Sequence, residues 1–555
     1  MLKNLPERVL KYLVEILNKF WKHSFFPSQW SHSYIIPIPK PGKDHTLPQN
    51  YRPIALTSCL CKIFERLINN RLMDFLEINN IINSTQCGCR RNRSTLDHLI
   101  RLESFIKNSF AKNHHVLSVF FDIEKAYDMT WRYGICRDMF SAGLRGYLPK
   151  YIEQFLSHRT FQVRLNSHLS SEHVQANGVP QGSVLSVTLF AIKINGITNS
   201  VPSSPNWINS LYVDDLQIAV SHPCLETAGE ELQKCLSNIQ KWTTNNGFKF
   251  SPTKTKIQHF TLTTVTPSNL PQLKLDNKII PYTTSMKFLG LLWDSRLTWQ
   301  THLNKLKSEC TKKLGILRMI TSQTWGGDLT STTKIYRIYI RSKLDYGCQV
   351  YSSARQTLLK QLDTTSNEAL RITTGAFKST PIETLHILAG ETPIHLRREE
   401  LILRHLFKIK ASLSNPSFNY IFPVPNRAPF DHKRISLPLS IRAQNLADIY
   451  QLRKTLVKPE FSYVLQNIAV PTWYVSQPEI SYKLSATPKS TTSSECYKQN
   501  FLYLCQQEYP NDIKIFTDGS KKENGVGSAV VFNRTVRKSS LPKESTIFSA
   551  KLYAI

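Results

Sequence analysis

In the opening stretch, MLKNLPERVLKYLVEILNKFW, apolar Val9, Leu10, Leu13, Ile16, Leu17 and Phe20 fall three or four residues apart. That period lines one face of a helix, and charges interrupt every apolar run. Residues 1–29 therefore read as an amphipathic helical segment, neither a signal sequence nor a membrane span. SYIIPIPKPGKD reads as a short apolar strand stopped by a Pro/Gly loop. Helical spacing returns in SCLCKIFERLINNRLMDFLE through Leu60, Phe64, Leu67, Ile68, Leu72, Phe75 and Leu76, with Thr57 or Ser58 as the N-cap. In HVLSVFFDIEKAYD, Val116 to Phe121 are nearly all apolar, as in a strand covered on both faces. The helix in ETAGEELQKCLSNIQKWTTNNG stops at Asn-Asn-Gly, FKFSPTKTKIQHF reads as a strand, and MKFLGLLWDSRLTW as a hairpin. Residues 296–410 are mainly helical and basic. Residues 411–510, rich in Ser, Pro, Asn and Thr with weak periodicity, read as a connecting region. Strands return in 511–555 with IKIFTDGS and VGSAVVF. The fold class expected from this mixture is α+β with appendages.

Residues 210–220, SLYVDDLQIAV, read as a buried strand that carries Asp214 and Asp215 side by side. Two adjacent carboxylates repel, and buried without partners they cost several kcal/mol or take up a proton. Solvent, a basic partner or a divalent cation relieves them. Composition narrows the choice. Seventy Lys and Arg against 40 Asp and Glu give a net charge of +30, which favours a polyanionic partner such as nucleic acid. Eleven cysteines, an odd number, without a secretory signal point to reduced thiols in the nucleus and/or cytoplasm, not to a secreted protein. The pairs Cys59/Cys61 and Cys87/Cys89 have C-x-C spacing, which is not the usual zinc spacing. No stretch reaches the length of a membrane span.

The other strand-borne acid is Asp122 in VFFDIEKAYD. If its strand lies beside that of Asp214, the carboxylates converge at strand ends. Oxygen-only ligands of this kind suit Mg²⁺ or Mn²⁺, which complete their shells with water and substrate phosphates. Two such ions promote an in-line displacement at phosphorus.

Seven blocks in order across about residues 30 to 295 resemble the reverse transcriptases of non-LTR (LINE-type, jockey-like) retrotransposons. NYRPIALTSCLCKIFERLINNRL and QCGCRRNRST are similar to the two fingers blocks, and FFDIEKAYD to the motif of the first catalytic aspartate. NGVPQGSVLSVTLFAIKIN is similar to the P-Q-G-S block, YVDD to the Y/F-x-D-D box, FSPTKTK to the lysine block and FLGLLWD to the primer-grip hairpin. The resemblance implies a right-hand polymerase: fingers and palm with an antiparallel sheet over residues 30–295, and a mainly helical thumb-like region over 296–410. It implies an RNA-directed DNA polymerase that extends a primer 3′-OH by two-metal catalysis with Mg²⁺ or Mn²⁺. Its partners would be an RNA template, a DNA primer or target and dNTPs. The site residues implied are Asp122 and Asp214 as metal ligands and Asp215 as the supporting carboxylate. Tyr127 would be the gate against ribose 2′-OH groups. Gln181 and Gly182 would form a turn against template and nucleotide, and Arg52 and Arg90, with Arg93 behind them, would contact phosphate. Lys254 or Lys256 would be the proton donor at the pyrophosphate. Phe288, Leu289, Gly290 and Trp293 fit the primer grip.

Two departures stand out: Cys89 replaces the usual Phe, and LSVTLF stands where L-S-P-x-L-F is common. Over residues 511–555, IKIFTDGSKKENGVGSAVVF resembles the opening of a ribonuclease H domain with Asp518 at its first acid. In FSAKLYAI, however, Lys551 occupies the next acid position, so ribonuclease H activity is not expected from this incomplete fragment. No block corresponds to the endonuclease that such elements carry upstream, so a truncated copy or a gene model begun mid-element is expected. The alternative to the polymerase is a catalytically inactive nucleic-acid-binding relic.

Overall fold

The computed structural model describes residues 5–263, 269–321, 325–452, 481–486, 492–523, 525–532, 535–543 and 545–554. The chain divides into two units, Met1–Asn467 and Ile468–Ile555.

The first unit opens with helix α1 (Glu7–Lys22), which buries Leu17 and half-buries Leu13 and Phe20. Val9, Leu10 and Ile16, expected on its packed face, stay exposed. Strands β1 (His32–Pro39) and β2 (Tyr51–Leu56) pair antiparallel, with Ile38 opposite Arg52. Helix α2 (Cys59–Ile78) follows Ser58 at the expected cap position and buries Phe64, Ile68, Leu72 and Leu76. Helix α3 (Thr95–Ala111) starts at a reciprocal Ser94/Asp97 capping box, which satisfies two free N–H groups. Next come strand β3 (His115–Phe121), helix α4 (Val184–Ile194), strands β4 (Trp207–Tyr212) and β5 (Asp215–His222), helix α5 (Leu225–Asn246) and strand β6 (Lys256–Phe260).

The central sheet runs β4-β5-β3-β6, every neighbour antiparallel. Strand β3 alternates between two cores: Leu117, Val119 and Phe121 face the cluster with α5, whereas Val116 and Phe120 face the cluster with α3. This is the two-sided coverage that its unbroken apolar run predicts. Helix α5 ends at Gly247 in the left-handed conformation, φ 75°, at the Asn-Asn-Gly signal. The hairpin of β7 (Ser285–Phe288) and β8 (Leu291–Asp294) leads into the helical region of α6 (Gln300–Ile320), α7 (Gln356–Thr374) and α8 (Ile394–Lys410).

Two expectations are corrected here. Residues 210–220 are not one strand; the chain reverses at Val213–Asp214, between β4 and β5. Residues 411–510 are not a connecting region throughout. Helix α9 (Leu439–Ile449) packs into the first unit. Its Arg442 Nη2 donates to Glu103 Oε1 at 3.1 Å, and Lys107 Nζ donates to the same oxygen at 2.7 Å. Around this charge cluster the helix buries Leu439, Ile441, Ala443 and Ala447, two of them small alanines. The rest of that span is described at 411–438, 450–452, 481–486 and 492–510.

In the second unit, strands β9 (Ile515–Lys522), β10 (Gly525–Phe532) and β11 (Thr535–Leu541) form an antiparallel meander followed by helix α10 (Ile547–Ala554). Asp518 lies on β9, and the Ala550–Lys551 backbone of α10 packs directly on Gly519 beside it.

Candidate active site

The two-residue loop Val213–Asp214 joins β4 to β5, and Tyr212 pairs with Asp215 across it. Asp122 leaves the end of the neighbouring β3, next to Leu216 of β5 through its Phe121 partner. The antiparallel register thus delivers Asp122, Asp214 and Asp215 to one end of the sheet. Burial pushes the Asp214 carboxyl up, with the Asp122 charge adding to it, while the Arg52 guanidinium on β2 pulls it down. Asp215 keeps a solvent-facing side, yet crowding by protein and the charges of Asp214 and Asp122 push its carboxyl up to about 6. Lys254 Nζ stands 3.4 Å from Asp122 Oδ2. Lys256, the other candidate, lies on β6 opposite Phe120.

Val213 has φ 59°, a left-handed conformation that is costly for a β-branched residue. Gln86, wholly buried, holds it there: Val213 N–H donates to Gln86 Oε1 at 3.0 Å, and Gln86 Nε2 donates to the Val213 carbonyl at 3.4 Å. The same Oε1 accepts from Gly88 N at 2.8 Å. Gly88 lies so close that a Cβ there would sit 2.5 Å from Val213 Cγ2. Backbone bonds from Cys87 N to the Leu211 carbonyl and from Leu211 N to the Thr85 carbonyl complete the seam. The QCGC block is therefore the clamp of the YVDD turn. Sequence reasoning named the block but not Gln86 as its working residue.

Arg90, expected at substrate phosphate, is corrected to a structural role. Its guanidinium is bound bidentately by Glu77, 2.6 Å to each carboxylate oxygen, and donates to the carbonyls of Asn83 at 2.8 Å and Gln86 at 3.1 Å. Arg93 likewise donates to the carbonyls of Ser84 and Ser414. Arg52 is exposed and faces Asp214.

The PQG turn lies across β2. Ala55 N donates to the Gln181 carbonyl at 2.6 Å, and Gly182, at φ 130°, approaches so closely that a Cβ would meet the Ala55 carbonyl oxygen at 2.4 Å. Only glycine fits that backbone. The glycine thus accommodates the chain's own strand. Gln181 Nε2 donates to Asp128 Oδ1 at 3.1 Å. Beyond the turn, the buried Glu65 carboxylate accepts from Ser183 Oγ, Val184 N at 2.7 Å and Leu185 N at 3.3 Å. It caps the N-terminus of α4, where a negative charge is favoured. Glu65 escaped sequence reading because a lone Glu in a helix carries no such signal. Tyr127 stacks on Phe190, ring centroids 5.1 Å apart, and both burial and the Asp214 charge raise its phenol. It is half-buried at the aspartates' side of the core.

Among the described residues no three acid, histidine or cysteine side chains gather into a ready-made metal cage. The predicted acids Asp122, Asp214 and Asp215 share one end of the sheet and feel one another's charge. Such a set fits an ion that takes one or two carboxylates and completes its shell with water and phosphate oxygens.

Residues 38–292 match the family described as reverse transcriptase (RNA-dependent DNA polymerase). The chain is 32% identical over 385 residues, 67% of its length, to the probable RNA-directed DNA polymerase from transposon BS of Drosophila melanogaster. It is 28% identical over 379 residues to the RNA-directed DNA polymerase from mobile element jockey of the same fly. Each alignment covers 41% of the relative, so the chain spans about two fifths of the curated relatives it matches. Apo telomerase from Candida tropicalis aligns loosely, at 12% identity and a TM-score of 0.39 over 83% of this chain and 74% of that one. Residues 38–292 form a reverse transcriptase domain. Its type is that of the non-LTR retrotransposons, jockey among them, a family that uses divalent metal ions.

Proposed function

We propose that this chain is an RNA-directed DNA polymerase that extends a primer 3′-OH with dNTPs on an RNA template. The observation that carries the reading is the meeting of Asp122, Asp214, Asp215 and Lys254 at one end of the sheet, with Arg52 facing them from β2. Asp122 and Asp214 would hold Mg²⁺ or Mn²⁺, with Asp215 supporting. The ions supply activation of the primer hydroxyl and stabilisation of the leaving oxygen. Arg52 draws the triphosphate toward the acids, a role its planar fork suits. Lys254 delivers a proton to the departing pyrophosphate. The Tyr127 ring closes the space that a ribose 2′-OH would need. The inactive-relic alternative is disfavoured, because every one of these groups is retained and the strained turn beneath them is fully clamped. The nucleus and/or cytoplasm is the compartment that fits both a nucleic-acid substrate and eleven free cysteines. No hydrolytic activity is assigned to the second unit, where Lys551 stands beside Asp518's strand.

The test is extension of oligo(dT) on poly(rA) with dTTP and Mg²⁺, comparing wild type with Asp214→Asn. Extension by the wild type that vanishes in the variant is expected. Extension by neither protein, with both still shifting labelled RNA, would reduce the chain to a binder.

A further inference from the structure

The end of the sheet away from the aspartates carries a second basic feature. A cavity of about 750 Å³ opens there, within the size range of organic-ligand sites. Phe110, in the last turn of α3, and Leu262, just beyond β6, line it. Because Val116 pairs with Phe260, these residues belong to the start of β3, whereas Asp122 follows its end. At ~3.3 Å per residue the separation is roughly 20 Å or more. The cavity is distinct from the site already described.

Three arginines from three separate segments stand around it: Arg296 after β8, Arg355 at the N-cap position of α7, and Arg434. All three are exposed, and among the described residues none has a carboxylate within ion-pair distance. The acid on the wall, Asp431, is taken by Arg427 at 2.9 Å. Their backbones are held. Asp294 accepts from the N–H groups of Arg296, Thr298 and Trp299, and Arg434 N donates to the Asp431 carbonyl at 3.1 Å. Buried Phe110, Leu297 and Phe430 also line the cavity, together with polar Thr298, Gln300 and Ser353.

We infer that this cavity binds the phosphate backbone of a single-stranded polynucleotide, apart from the strand at the catalytic aspartates. Forked donors with no carboxylate partner suit phosphate oxygens. A lining of mixed polar and apolar side chains suits a base or sugar, and the space far exceeds what one phosphate ion needs. The protein's +30 charge makes a polyanionic strand the complementary occupant.

The experiment is fluorescence-anisotropy titration of the full chain with labelled oligo(rU) at several salt concentrations, with the polymerase cleft preloaded by an unlabelled hairpin template–primer. Each phosphate contact on a single strand contributes about 0.7 to the slope of log Kd against log salt. The triple variant Arg296→Ala, Arg355→Ala, Arg434→Ala should therefore lose about 2 from that slope and bind at least ~10-fold more weakly. Its extension of the hairpin primer should equal wild type, which separates failure of this site from failure of the polymerase reading. Arg355→Glu alone, a rim change that leaves the core intact, should weaken binding in the same direction. An unchanged slope in variants that melt like wild type overturns the inference. So does displacement of the strand by inorganic tripolyphosphate at equal phosphate concentration, which would make the cavity a small-phosphate site.

Discussion

Replacing Gln86 by Met keeps most of the buried volume and removes the clamp on the YVDD turn. Wild-type Gln86 gives Val213 and Gly88 an acceptor at 3.0 and 2.8 Å and gives the Val213 carbonyl a donor at 3.4 Å. Met leaves the N–H of buried Gly88 and of half-buried Val213 without partners, costing up to about 1–3 kcal/mol each. The long third bond is weak by its geometry and adds little. The turn also stores strain, since a left-handed Val costs about 1–3 kcal/mol and persists only while its surroundings enforce it. Once the clamp is gone, relaxing Val213 recovers part of the first cost by letting its N–H reach water. The turn then moves, and Asp214, the next residue, moves with it. A loss of about 1.4–2.8 kcal/mol of transition-state stabilisation corresponds to a ~10- to 100-fold drop in rate. The assay is single-turnover primer extension at saturating dTTP, with RNA affinity measured in parallel. The rate should fall while affinity for template–primer stays within about twofold, because no nucleic-acid contact is removed. A Gln86→Met protein that extends at the wild-type rate would refute the argument. So would one that loses rate and RNA affinity together, which would mean general unfolding.

Two further outcomes follow from the same geometry. With its carboxyl pushed up to about 6, Asp215 ionises less readily folded than unfolded, so its charge costs stability as pH rises from the ordinary carboxylate range through 6. Asp215→Asn should thus melt above wild type at neutral pH without divalent ions, and the difference should close near pH ~4; an Asn variant melting at or below wild type at neutral pH contradicts this. Arg90→Ala should destabilise the fold by about 2–3 kcal/mol in urea titration, the cost of breaking a buried pair discounted for the partly exposed Glu77. The dTTP KM of its folded fraction should stay near wild type, whereas a severalfold rise would restore Arg90 to the substrate.

The polymerase blocks were legible because their chemistry is local. Asp122 at the end of an apolar run, adjacent Asp214 and Asp215, and Lys254 in the following block need only residue type and short spacing to be recognised. Arg90 was misread for the opposite reason. An arginine bound to Glu77 and one bound to phosphate look alike in sequence, and only the folded path of α2 brings Glu77 to it. Helix α9 was missed because two of the four apolar residues it buries are alanines, a weak signal in a polar stretch, and its seat also includes Glu103 and Lys107 from far along the chain.

By itself, then, the sequence determined the order of most elements up to residue 410, the family resemblance and the acids that carry the proposed chemistry. Each is written in neighbouring residues. The tertiary structure decided that the run of residues 210–220 breaks at Val213, that Lys254 rather than Lys256 meets Asp122, and that Gly182 yields to Ala55. These choices rest on partners distant in sequence. Val213 keeps its strained turn only because Gln86, 127 residues earlier, satisfies its backbone. A local pattern of apolar and polar residues carries no record of that bond.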